Sequence, residues 1–91
     1  MNKNDIEAKN LILGMEFDKY LMEHPDLMEK IPENALVVFL PEYDPGISRQ
    51  NKRIAEEQRE KGQPIVFVRI ERLAPVPPSR LIGPKLEFQK V

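Results

Sequence analysis

Two short apolar runs set the limits of what this chain can become. Residues 35–40 read Ala35-Leu36-Val37-Val38-Phe39-Leu40, and residues 65–70 read Ile65-Val66-Phe67-Val68-Arg69-Ile70. The first is continuous and bounded by Asn34 and Pro41, the pattern of a strand buried on both faces in a parallel sheet. A loop over 41–47 follows, holding Pro41, Pro45 and Gly46. The charged stretch 48–61 then reads as a helix, with Ser48 or Asp44 as candidate caps and Gly62 as a C-terminal stop. Its apolar stripe is thin: Ile47, Ile54 and Ala55, with Asn51 and Gln58 on the same face. At ~1.5 Å per residue such a helix is about 21 Å long, and a six-residue strand at ~3.3 Å per residue is about 20 Å long. The helix returns the chain to its starting level, so the second strand is expected parallel to the first through a right-handed crossover.

The chain ahead of this unit predicts a helix over 4–23, with Asn4 as cap and Glu7 three residues on as a capping-box partner. His24-Pro25 ends it, because a residue before proline avoids the helical region. A short helical turn is expected over 26–31. Around the long helix, at about 100° per residue, Ala8, Leu11, Ile12, Met15 and Met22 form one apolar stripe, and Ile6, Leu13, Phe17, Tyr20 and Leu21 form a second on the opposite side. A surface helix ordinarily has one such stripe. Two stripes require two things to pack against. One is the protein's own sheet and the other is the C-terminal tail or another chain; Leu13, Phe17, Tyr20 and Leu21 are the candidate interface. Gly14, costly in a helix interior by about 1 kcal/mol relative to Ala, suggests a close backbone approach.

With 91 residues the chain holds one domain. The expected fold class is α/β: an N-terminal helix, a strand–helix–strand unit with a parallel strand pair, and an extended tail. The α/β domain is assigned to residues 1–73 and a proline-rich tail, packing on the domain or on a partner subunit, to residues 74–91. Pro75, Pro77, Pro78 and Pro84 keep that tail extended, and the alternation Leu86-Glu87-Phe88-Gln89 is able to add an edge strand. Two parallel strands alone leave two open edges and make a poor independent sheet.

Charge and composition narrow the function classes. Lys and Arg number 14 against 15 Asp and Glu, a net charge of −1. Nucleic-acid binding is disfavoured, since the basic residues of the 48–61 helix are interleaved with Glu56, Glu57 and Glu60. The charge is polarised along the chain, with four basic and seven acidic residues over 1–30 and five and two over 63–91, a pattern that fits head-to-tail contact within or between chains and, more simply, scattered solvated charge. There is no Cys, which excludes disulfides and thiolate ligands and suits a cytoplasmic, reducing compartment. No apolar stretch in the first 30 residues suits an export signal, and the longest apolar run falls far short of the ~20 residues needed to cross a bilayer.

The segment Leu40-Pro41-Glu42-Tyr43-Asp44-Pro45, followed by Asn51, Ala55 and Gly62-Gln63-Pro64-Ile65-Val66, resembles short prokaryotic proteins grouped as a family of unknown function, and Phe17-Asp18-Lys19-Tyr20-Leu21 is similar too. The resemblance covers residues 4–73. It implies a single-domain cytosolic protein and carries no catalytic residues or cofactor.

In open α/β sheets ligands bind beyond the carboxyl ends of the strands. That position belongs to Glu42, Tyr43, Asp44 and Ser48, with Arg69 at the end of the second strand. Glu42 and Asp44 could hold a divalent cation through oxygen or hydrogen-bond a small ligand; alternatively, Asp44 simply caps the helix. No catalytic constellation is recognisable. His24, the only histidine, has no orienting partner or nucleophile at a readable spacing, and neither Ser48 nor Ser79 sits in a nucleophile elbow. No metal site and no cofactor are expected. Pro75-Val76-Pro77-Pro78-Ser79-Arg80 fits a PxxP ligand and, more simply, a stiff connector. The leading expectation is a non-catalytic interaction protein, self-associating or docked on another protein. A regulator binding a small ligand or divalent metal through the 41–49 loop is the alternative.

Overall fold

The computed structural model describes residues 2–89. Its elements run α1 (Lys3–Glu23), α2 (Pro25–Met28), β1 (Leu36–Pro41), α3 (Pro45–Gln58) and β2 (Ile65–Ile70). β1 and β2 pair in parallel as a two-stranded sheet, in register from Leu36 opposite Ile65 to Pro41 opposite Ile70. The α/β architecture is thus the one the apolar runs dictate: an N-terminal helix, then two parallel strands with a helix between them.

Local chemistry fixes the boundaries. α1 begins two residues earlier than its caps suggested, because Asn2 rather than Asn4 takes the cap: its Oδ1 accepts from the Asp5 amide at 2.9 Å. Glu7 is left to pair with Lys3 at 3.9 Å on the exposed surface. Asp44, not Ser48, caps α3, accepting from the Ile47 amide at 3.2 Å, with Pro45 in the first helical turn. Gly62 stands beyond the helix end in a turn, with φ +76°, a conformation that costs glycine least.

The sheet divides the fold into two faces. Leu36, Val38 and Leu40 point one way with Ile65, Phe67 and Arg69 opposite them. α3 covers this face, where Val38, Leu40 and Ala55 form the buried core with Leu36 and Ile65 against it. Phe39 points to the other face, where α1 lies. The rings of Phe17 and Phe39 meet edge to face, 5.6 Å between centroids. Leu13 is only 3% exposed and Leu21 is also buried.

This orientation corrects the expected interface. Leu13, Phe17 and Leu21 turn inward onto the chain's own sheet. The stripe left facing outward is the opposite one, with Leu11, Ile12, Met15 and Met22 all more than half exposed. Of the four candidate residues, Tyr20 alone stays exposed, its ring stacked on His24 at 3.9 Å. Gly14 is not required by crowding either, since a Cβ there would sit 4.0 Å from the Phe39 ring, an ordinary contact.

The free edge of β1 is closed by side chains at two of its carbonyls, those of Phe39 and Pro41. Leu36 and Glu42 donate toward β2, to the Pro64 and Ile70 carbonyls at 2.8 Å each, so the backbones of Val37, Phe39 and Pro41 point away from it. Asn51 Nδ2 donates to the Phe39 carbonyl and Ser48 Oγ to the Pro41 carbonyl, each at 2.8 Å. Pro41 has no N–H to leave unpaired. The outer edge of β2 has no such closure, because the sheet ends there among the described residues.

The tail does not finish the sheet. Residues 71–89 are exposed throughout and form neither helix nor strand. Leu86–Gln89 therefore adds no edge strand, and the tail past Leu73 does not pack on the domain; residues 90 and 91 of the assigned tail lie outside the described residues. The radius of gyration is 18.3 Å, with extents of 63 × 35 × 27 Å, against about 12 Å for a compact chain of this length. The four prolines hold the tail out.

Candidate functional site

The 41–49 loop is built around Asp44. Capping α3 uses its Oδ1, and Oδ2 accepts from Lys9 Nζ of α1 at 3.0 Å. The Lys9 hydrogen bond, then the Ile47 amide, hold the Asp44 carboxyl below the ordinary aspartate value, against a smaller opposing effect of burial. Tyr43 beside it is pushed the other way. Burial raises its hydroxyl above the ordinary tyrosine value first, the Asp44 charge adds to this, and Lys9 partly offsets it. Tyr43 is therefore a neutral phenol at physiological pH, able to donate or accept one hydrogen bond but not to act as a base.

These groups border an open cleft of ≈ 290 Å³, whose walls include Lys9, Ile12, Leu13, Pro41, Tyr43 and Leu73. Glu42 is exposed, its amide committed to the Ile70 carbonyl. Ser48 spends its hydroxyl on the Pro41 carbonyl. Arg69 is not part of the cleft. Strand alternation sends it to the α3 face, beside Lys52, Glu56 and Phe67. The five candidate residues thus divide, with Tyr43 and Asp44 at the cleft and Glu42, Ser48 and Arg69 outside it or engaged elsewhere. Among the described residues no three of His, Cys, Asp and Glu come together as metal ligands, and no helix is long and apolar enough to cross a membrane.

Lys9 and Leu73 escaped the sequence reading. Both are brought to the loop by tertiary packing, from α1 and from the start of the tail. The spacing of i and i+35 between Lys9 and Asp44 carries no local signal.

The more distinctive surface is apolar. The outward stripe of α1 lies on the domain. The tail carries Val76, Leu81, Ile82, Leu86 and Phe88, each between 73% and 97% exposed. Scattered exposed apolar residues are ordinary, but contiguous ones mark a surface that something covers.

Residues 5–82 match the family of unknown function DUF5647. The chain belongs to that family. The matched span extends beyond the α/β unit, past Pro75, Pro77 and Pro78 to Ile82, so the first part of the projecting segment lies within the match and residues 83–89 lie outside it. No curated protein and no solved structure matches the chain.

Proposed function

We propose that this member of DUF5647 is a non-catalytic protein-interaction module of the cytoplasm that works as an assembly, first of all as a homodimer. The observation that carries the reading is the apolar tail held off the domain while the outward stripe of α1 stands uncovered. Leaving both in water forfeits about 25 cal/mol for each Å² of apolar surface that contact would bury. The open outer edge of β2 supports the same reading, since unpaired edges are ordinarily covered. Light scattering at micromolar concentrations tests it: a dimer or larger species is expected, and a monomer across the accessible range overturns it.

The second reading, a regulator binding a small ligand or divalent cation, rests on the cleft beside Tyr43 and Asp44. It is the weaker one, because Lys9 and the α3 amide already occupy both oxygens of Asp44. Thermal shift against nucleotides and divalent ions tests it, with no rise in melting temperature expected.

A further inference from the structure

The interaction reading leaves open what covers α1. On that reading, we propose that residues 80–88 of a second copy of this chain lie along the outward stripe of α1, the two copies exchanging tails. The docking surface is Leu11, Ile12, Met15 and Met22. At about 100° per residue, Glu7 and Asp18 flank the stripe on one side and Glu16 and Glu23 on the other. The surface is an apolar strip between two acidic rims. Lys19, which falls on the strip, pairs with Glu16 at 3.6 Å, and Lys3 pairs with Glu7 at 3.9 Å, so Asp18 and Glu23 are the rim carboxylates without an ion pair among the described residues.

The tail is the complement of that surface. Leu81, Ile82, Leu86 and Phe88 supply the apolar side chains, and Arg80 and Lys85 supply positive charge between and beside them. Among described residues 72–89 the only acidic one is Glu87. Charge of this kind sets partner choice and register while the apolar contact supplies affinity.

The tail does not lie on the α1 of its own chain, since residues 71–89 are exposed throughout. Residues 71–79 include Pro75, Pro77 and Pro78, and in extended polyproline form they carry the chain about 28 Å, longer than the sheet. The residues that follow are among the most exposed in the molecule. Leu73 borders the same cleft as Ile12, so each tail leaves its domain beside the outward stripe. Two copies facing each other across α1 bring each tail to the partner's strip, and the two-fold pair makes the contact twice. Exchange of an identical element is a low-cost route to a dimer.

The chain has no native Cys, which allows a clean cross-linking test on full-length protein. Chains carrying Ile12→Cys are mixed with chains carrying Ile82→Cys and oxidised; both positions are exposed. The expected result is a mixed disulfide in clear excess over either homodisulfide. Preferential cross-linking of Ile82→Cys to Phe67→Cys on β2 overturns the proposal in favour of strand addition. Ready closure of a monomeric loop in the doubly substituted chain overturns it in favour of the chain's own tail. In parallel, Leu81→Asp with Ile82→Asp is expected to weaken self-association about tenfold or more. Glu16→Lys with Asp18→Lys is expected to do the same, with recovery when mixed with chains carrying Arg80→Glu and Lys85→Glu. An undiminished dimer in the Leu81 and Ile82 variant sinks the tail exchange and leaves the assembly reading standing. A wild-type chain that is monomeric throughout sinks both.

Discussion

Asn10 and Asn51 hydrogen-bond each other in both directions, Nδ2 to Oδ1, at 2.8 Å each way. Asn51 is buried, and its second amide hydrogen goes to the Phe39 carbonyl at the free edge of β1. One side chain therefore ties α1, α3 and β1 together. Replacing a buried, fully bonded amide with an apolar group strands its partners, at about 1–3 kcal/mol for each unsatisfied group. Asn51→Leu is expected to destabilise the fold by about 2–3 kcal/mol in urea denaturation. Asn10→Ala, which leaves the Phe39 bond intact, should cost nearer 1 kcal/mol. A double-mutant cycle that finds the two losses additive would mean that the pair is not coupled.

The two stripes of α1 are expected to respond differently to truncation. Leu13→Ala opens a cavity under a buried side chain and should cost about 2–3 kcal/mol at any protein concentration. Met15→Ala, on the outward stripe, should leave the isolated fold within about 0.5 kcal/mol. Its effect should emerge only at concentrations where copies associate. Denaturation curves of both variants across a dilution series make the comparison.

Gly14 offers a stabilising substitution. It lies in the middle of α1, where glycine costs about 1 kcal/mol relative to Ala, and a Cβ there would reach the Phe39 ring at 4.0 Å without crowding. Gly14→Ala is expected to raise stability by about 1 kcal/mol, read as a shift in urea midpoint at unchanged slope. A loss instead would mean that the α1–sheet distance is set by the bare backbone at this position.

The sequence carried the strands, the helix between them and their parallel pairing because each depends on local pattern and on lengths that match. The boundaries were harder. Asn2 and Asn4 are equal as caps by residue type, and the earlier one wins by adding two more residues to the helix. The orientation of α1 was not legible from hydrophobicity alone, since two apolar stripes 180° apart are symmetric to that test. Polar residues break the symmetry. Asn10 falls in the middle of the Leu13–Phe17 side and Asn51 in the middle of the α3 stripe, two buried amides that satisfy each other. Lys19 interrupts the other side, which marks it as the face toward solvent. The candidate site split for a related reason. Arg69 lies near the loop along the chain's axis, but the period of two in β2 assigns it to the α3 face. Lys9 and Leu73 reach the cleft through contacts that no spacing encodes.

Asp44 links stability to acid. Its folded pKa is depressed, first by the Lys9 hydrogen bond, below the ordinary value of 3.8 that governs the unfolded chain. The charged form is the one the native state favours, so its contribution is complete above that ordinary value and fades as pH falls through the lower folded one. Asp44→Asn removes the link. The difference in melting temperature between wild type and variant is expected to be largest near neutrality and to shrink as pH falls below 3.8. A gap that is the same at pH 7 and in strong acid would assign the whole effect to the cap and none to the charge.

The stiffness of the tail should decide whether it serves its own chain or another. Held as polyproline, residues 71–79 span about 28 Å. With Pro75, Pro77 and Pro78 replaced by Gly, the same segment becomes a flexible coil whose typical end-to-end distance is about 5–6 Å times the square root of its length, or roughly 17 Å. Leu73 already sits beside Ile12 at the border of the outward stripe, so a shortened, turning linker lets Leu81 and Ile82 fall back on the α1 of their own chain. Contact within one chain then competes at an effective concentration near millimolar, far above a micromolar solution. The triple substitution is thus expected to convert the dimer to a monomer in sedimentation velocity while keeping Leu81 and Ile82 protected from proteolysis. A dimer that survives the change intact would mean that the prolines do not direct the tail outward, and that the exchange, if present, is fixed by the docking surface alone.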